Sequence, residues 1–70
     1  MNTETIGSNA GLIWTALNTL GKMNLKQIKK ITKIKTEKEV AASLGWLAKE
    51  DKLNFDLDPD TQEVLFSLKF

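Results

Sequence analysis

The apolar residues of this chain recur first at helical spacing and then, towards the C-terminus, at every second position. The first helical stripe predicts a helix over residues 5–20. Thr3 or Thr5 is the expected N-cap, because a short hydroxyl side chain can accept a hydrogen bond from an unpaired backbone amide of the first turn. Gly21 supplies the stop signal at the other end.

Two further helices are predicted to begin at capping-box patterns. Asn24 with Gln27 opens a short second helix, and Thr36 with Glu39 opens a third. In such a box the two side chains each bond to the other residue's backbone amide, so two unpaired donors are satisfied. Apolar residues then follow three or four positions apart, and each helix can bury one face.

The last part of the chain alternates apolar and polar residues on either side of a turn. Residues 53–57 and 64–68 predict two short strands, and Asp58–Thr61 supplies the Pro-Asp turn between them. Leu65 breaks the alternation and is expected on the outer face of the hairpin. A further short strand is expected near Lys22-Met23. Because two strands alone are not stable, the hairpin must pack on the helices.

These elements predict an α+β fold, a winged helix-turn-helix in which three helices precede a two-stranded β-hairpin wing. The whole chain, residues 1–70, is expected to form one domain. The apolar faces together predict a core made of Ile6, Ile13, Trp14, Leu17, Leu20, Ile28, Ile31, Val40, Leu44, Leu47, Phe55, Leu57, Val64 and Phe66.

Two short strings extend this interpretation to a family. Asn9-Ala10-Gly11 with Ile13-Trp14, and Leu44-Gly45-Trp46-Leu47-Ala48, are similar to a small family of bacterial winged helix-turn-helix domains of unknown function. The resemblance covers nearly the whole chain, and it implies the fold and, by analogy with other winged helices, DNA binding. The chain departs from the usual pattern at Lys33, where glycine is common, and in a wing that is acidic rather than basic.

The composition excludes several classes of function. The chain has no cysteine, histidine or tyrosine, so it lacks thiolate metal ligands, a cysteine nucleophile and the usual general base at neutral pH. No apolar run approaches the roughly 20 residues that span a bilayer, and Met1–Glu4 does not resemble a signal peptide. We expect a cytoplasmic protein that is not an enzyme, with no cofactor, no small-molecule substrate and no membrane partner.

The acidic residues of the wing do not alter this expectation. Asp56, Asp58, Asp60 and Glu63 lack the glycine and the terminal glutamate of a calcium loop, so no metal site is predicted. Alternating acids on an exposed strand more often keep a hairpin soluble and guard its edge.

The positive charge is concentrated in the centre of the chain and makes DNA the candidate partner. Seven of the ten lysines lie between Lys22 and Lys38, and lysines on one helix face can neutralise phosphates. The alternative is a solvated face that keeps the protein soluble. The predicted nucleic-acid contacts are Lys26, Lys29, Lys30, Lys33, Lys38, Ser43 and Lys49. The chain has no arginine, so we expect weak sequence preference in a transcription-regulator-like homodimer.

Trp46 introduces a competing function. It lies off the apolar stripe of the third helix, where a large aromatic side chain can pack under the wing against Leu65 or the first helix, join a partner interface, or contact nucleic acid. The predicted partner interface combines it with Leu12, Ala16 and Leu65. The second hypothesis is therefore a protein-interaction or homodimerisation module that keeps the fold without binding DNA.

Overall fold

The computed structural model describes residues 1–70, and its elements follow the predicted order. The elements are α1 (Thr3–Leu20), β1 (Met23–Asn24), α2 (Leu25–Thr32), α3 (Glu37–Lys49), β2 (Leu53–Leu57) and β3 (Val64–Leu68). α1 packs mainly on α3, and the three strands form one antiparallel sheet beside the helices. The predicted α+β winged helix-turn-helix fold is confirmed. None of the helices has both the length and the hydrophobicity that crossing a bilayer requires.

The first helix begins earlier than predicted because a different residue caps it. The side-chain oxygen of Asn2 accepts a hydrogen bond from the Thr5 amide at 2.8 Å, so the helix starts at Thr3 and neither threonine is the cap. Gly21 ends the helix as expected, with a φ of 86° and its N–H donating to the Leu17 carbonyl. A positive φ of this kind is open to glycine at little steric cost.

The two predicted capping boxes form to different extents. The Asn24 side chain accepts from the Gln27 amide at 2.8 Å, and the Gln27 side chain accepts from the Asn24 amide at 2.9 Å. At the start of α3, the Thr36 hydroxyl accepts from the Glu39 amide at 3.1 Å, but the Glu39 side chain does not return the bond. The prediction of a full box at Thr36 was therefore wrong in one of its two bonds.

The sheet contains the third strand as well as the hairpin. Its order is β1-β3-β2, with β3 in the centre. Phe66 lies opposite Met23 on one side and opposite Phe55 on the other, and the two phenylalanine rings meet edge to face with centroids 5.5 Å apart. The short strand thus lies at Met23–Asn24, one residue beyond the predicted position.

The core is smaller and more central than the apolar pattern predicts. The buried apolar residues are Ala10, Ile13, Ala16, Leu17, Met23, Ile28, Ile34, Val40, Leu44, Leu47, Leu53 and Leu68. Predicted core residues that are instead exposed are Trp14, Leu20, Ile31, Phe55, Leu57 and Val64, while Ile6 and Phe66 are half-buried. The prediction was wrong for the six exposed residues, because periodicity identifies the inward face of an element but not how much of that face a neighbouring element covers, whereas Phe66 does pack against the core.

The hairpin shows this reason most clearly. Leu53 and Leu68 face each other at its base and are almost fully buried. On the same face, Phe55 keeps 55% of its surface exposed and Leu57 keeps 58%. The helices therefore cover only the base of the hairpin, and its outer half presents an apolar face to solvent.

Candidate nucleic-acid interface

The second helix places its lysines on the side away from the core. Ile28 is fully buried, and the helix repeat then directs Lys26 and Lys30 to solvent, with Lys29 half-buried beside them. The lysines of α2 therefore form a basic outer face because Ile28 takes the inward position, although Ile31 is also 49% exposed.

Lys33 continues this basic face in an unusual backbone conformation. It ends α2 with φ 60° and ψ 24°, in the left-handed region, and its N–H donates to the Lys29 carbonyl at 2.9 Å. Glycine is the residue that adopts this conformation most easily, since a Cβ there is close to the following carbonyl. A lysine at this position thus combines a helix-ending role with a charge that glycine would not supply.

The basic face is not neutralised within the protein. The structure has two ion pairs, Lys22 with Asp56 at 2.9 Å and Lys69 with Asp51 at 3.0 Å. Eight lysines take part in neither pair, and six of them lie between α2 and the first turn of α3: Lys26, Lys29, Lys30, Lys33, Lys35 and Lys38. Their charges therefore remain available to an anionic partner. We define these six residues as the basic face.

The structure places two of the predicted contacts differently. Lys49 is exposed, but it lies at the far end of α3 from Lys38, about 16 Å along the helix axis, and is separated from the basic face. Ser43 has no exposed surface, and its hydroxyl has no hydrogen-bond partner. The prediction that Ser43 contacts nucleic acid was wrong, because α1 packs against α3 and encloses the side of the helix next to the apolar stripe.

The outward side of α3 offers few groups that could read a base. Ala41 and Gly45 are exposed there, and Ala42 is half-buried. Alanine and glycine present no side-chain donor or acceptor, although they allow a close approach to a groove edge. The long side chains that are exposed on α3 lie at its ends, namely Glu37 and Lys38 in the first turn and Lys49 in the last.

An apolar groove lies between α3 and the hairpin, and sequence reasoning missed it. Its volume is about 260 Å³, and its lining consists of Leu25, Ala41, Leu44, Gly45, Ala48, Phe55 and Phe66. The small residues of α3 leave the space, and the two phenylalanines form the opposite wall. The small residues Ala41, Gly45 and Ala48 recur on one side of α3 and were the available signal in the sequence. Whether they line a groove depends on where the hairpin packs.

The four residues of the predicted partner interface do not form one surface. Leu12 is exposed, whereas Ala16 is buried in the core. Trp46 is half-buried and lines a groove of about 400 Å³ with Trp14 of α1, which places it beside the first helix rather than under the wing. Leu65 is half-buried on the other face of the sheet, opposite Asp56.

The acidic residues of the wing have structural partners. The Asp58 side chain accepts from the Asp60 amide at 2.9 Å and thereby supports the turn. Glu63 accepts a hydrogen bond from the Asn24 side chain, and Asp56 pairs with Lys22, so both join the hairpin to the segment around β1.

Comparison with known proteins assigns the chain to a family. Residues 1–67 match the family described as winged helix-turn-helix domain (DUF2582), and the chain belongs to this family. No curated protein matches the sequence. The family assignment agrees with the three helices and the antiparallel sheet, and it confirms the resemblance carried by the Trp14 and Trp46 strings.

Proposed function

We propose that the protein is a DNA-binding module that contacts mainly the phosphate backbone and reads sequence weakly, as part of transcription regulation. The observation that carries this proposal is the basic face, whose six lysines form no ion pair within the protein. Neutralising phosphates releases condensed counterions and supplies most of the affinity of non-specific DNA binding. The winged helix-turn-helix fold supports the same function by analogy.

Weak sequence preference follows from the side chains on α3. Specific readout needs planar or forked groups such as arginine, asparagine or glutamine at the base edges. The exposed middle of α3 carries Ala41 and Gly45 instead, and the chain has no arginine. Phosphate contacts position a protein on the duplex but carry no sequence information directly.

The test is a titration of mixed-sequence duplex DNA by fluorescence anisotropy at several salt concentrations. If each of the six lysines neutralises one phosphate, the logarithm of the association constant falls with the logarithm of salt concentration at a slope of about −5. Lys29→Glu combined with Lys33→Glu is expected to abolish binding, because it reverses two charges at the centre of the basic face.

A matched control separates local from global charge effects. Lys52→Glu combined with Lys69→Glu lowers the net charge by the same amount, but both sites lie at the far end of α3 from the basic face. This control is expected to retain most of the affinity. Absence of binding to mixed duplexes at low salt, or equal losses in the two double variants, would overturn the proposal.

A protein-interaction module is the second candidate function, and the exposed apolar surface of the hairpin favours it. Phe55, Leu57 and Val64 are each at least 45% exposed, on the same face as the groove beside α3. Contiguous exposed apolar surface is typical of interaction sites in soluble proteins. Mass measurement by sedimentation, run beside the DNA titration, tests whether the protein associates.

A further inference from the structure

The strand β2, one of the two outer strands of the sheet, has a free edge. β2 lies at the end of the order β1-β3-β2, and only β3 pairs with it. Natural edge strands are commonly protected by lysine, proline or a bulge. The segment Leu53–Leu57 contains no lysine or proline, and its register with β3 is continuous. Its one acidic residue, Asp56, is paired with Lys22 at 2.9 Å, so its charge is partly balanced within the protein.

The hydrogen-bond pattern identifies which backbone groups face this edge. The Lys69 amide donates to the Lys52 carbonyl at 2.9 Å, and the Asp58 amide donates to the Glu63 carbonyl at 2.8 Å. In an antiparallel pair, bonded and non-bonded positions alternate. The even-numbered residues of β2 therefore bond to β3, and Leu53, Phe55 and Leu57 direct their N–H and C=O groups outwards.

The strand is complementary to itself in one antiparallel register. A two-fold axis at Phe55 places the outward groups of Phe55 opposite those of the second Phe55, and Leu53 opposite Leu57 of the second copy. Each of these three residues can then exchange two backbone hydrogen bonds with the residue opposite it in the second copy. A register centred half a residue away would oppose outward with inward groups, and the bonds would be lost.

The side chains agree with the same register. Asn54 comes opposite Asp56 of the second copy, so an amide donor meets a carboxylate acceptor twice in the dimer. The phenylalanines meet at the axis and extend the Phe55–Phe66 edge-to-face contact across the new sheet. Centring the pair on Leu57 instead would oppose Asp56 with Asp58, which is repulsive.

The antiparallel arrangement also covers the exposed half of the hairpin. Leu57 would lie beside Leu53 of the second copy, at the base of the hairpin where that copy's helices pack on the sheet. The apolar surfaces of Phe55 and Leu57, which are 55% and 58% exposed, would thereby gain a neighbour on the same face. An isologous contact of this kind closes as a dimer and leaves no edge of β2 for further growth.

We propose that two copies of the protein pair through β2, antiparallel and centred on Phe55, to form a continuous six-stranded sheet. The inference deepens the protein-interaction function by naming its partner and its site. It does not depend on DNA binding, since β2 lies outside the basic face.

Charge variants of Asn54 test the register while leaving the helices and the basic face unchanged. Asn54 is exposed and pairs with Ser67 within the monomer. Asn54→Asp places a second carboxylate opposite Asp56 of the other copy, and the two-fold symmetry repeats this repulsion on both sides of the axis. We therefore expect the dimer dissociation constant, measured by sedimentation equilibrium, to rise about fivefold or more. Asn54→Lys is the matched variant, and it should keep or tighten the dimer because a lysine then faces Asp56. Thermal unfolding followed by circular dichroism checks that both variants fold.

Amide hydrogen exchange gives a second readout that needs no substitution. The Phe55 and Leu57 amides should exchange more slowly as protein concentration rises, whereas the Asn54 and Asp56 amides, bonded to β3 in both states, should change little. A protein that is monomeric at hundreds of micromolar would overturn both the dimer and a self-association function. If the dimer forms but its dissociation constant changes equally in the two Asn54 variants, and the Phe55 amide gains no protection with concentration, the pairing through β2 is overturned. The protein then self-associates through another surface.

Discussion

Replacing Lys33 by glycine should make the protein more stable and bind DNA less well. Lys33 occupies the left-handed backbone region at φ 60°, where it ends α2. Glycine takes this conformation without a Cβ clash, so the strain of the helix end is relieved. The same change removes one positive charge from the basic face.

The magnitude follows from two opposing terms. A residue with a Cβ in the left-handed region costs about 1–2 kcal/mol, and the greater freedom of glycine in the unfolded chain offsets about 0.5–1 kcal/mol. We therefore expect the free energy of unfolding to rise by about 0.5–1 kcal/mol. For a domain of this size, that corresponds to a rise in melting temperature of about 3–6 °C. The charge change should reduce the steepness of the salt dependence of DNA binding by about 0.9, the contribution of one phosphate.

Lys30→Gly is the matched control, because it makes the same substitution inside α2. Lys30 is exposed on the same basic face, and its backbone is helical. Glycine there should lower the free energy of unfolding by about 1 kcal/mol, while it removes the same charge. The two variants are thus expected to change stability in opposite directions and DNA binding in the same direction.

Urea unfolding followed by circular dichroism measures the first effect, and duplex titration at several salt concentrations measures the second. If Lys33→Gly destabilises the protein as much as Lys30→Gly does, the left-handed helix end is not formed in solution. If both variants keep the salt dependence of the wild type, these lysines do not contact phosphate, and the basic face is a solvated surface.

Three further substitutions test the interior and the helix caps. Ser43→Ala should stabilise the protein by about 1–2 kcal/mol, because it removes a buried hydroxyl without a partner. The control is Ser8→Ala at an exposed position of α1, which changes only helix propensity and should stabilise the protein by about 0.5 kcal/mol or less. An equal gain in stability at both sites would show that the Ser43 hydroxyl is satisfied. Thr36→Ala should cost about 1 kcal/mol through the lost cap of α3. Asn24→Ala should cost more, about 1.5–2 kcal/mol, since Asn24 anchors a full capping box and also donates to a side chain of the hairpin; urea unfolding that gave the reverse order of these two losses would contradict the assignment.

The positions of the helices and strands were largely predictable from local signals. Asn24, Thr36 and Gly21 act within a few residues of themselves, so their effects do not depend on distant packing. The alternation around Asp58–Thr61 likewise predicted the two strands of the hairpin and the turn between them. The start of α1 was missed because Asn2 competes with two nearby threonines for the same capping role, and local sequence alone did not rank them.

The candidate site was only partly predictable. The basic residues of α2 were found because charge on the outer side of an amphipathic helix is a local property. The burial of Ser43 depends on α1 packing against α3, and these two helices are separated in the chain by β1 and α2. The half-buried position of Trp46 beside Trp14 depends on the same contact.

The sequence by itself therefore determined the order of the elements, their inward faces and the location of the positive charge, because each arises from interactions between residues close in the chain. The tertiary structure decided how far each inward face is covered. Leu53 and Phe55 belong to the same face of one strand, yet one is buried and the other is more than half exposed. The helices pack on Leu53 but leave a groove between α3 and Phe55, and the side chains that remain uncovered form the surface from which the dimer is inferred.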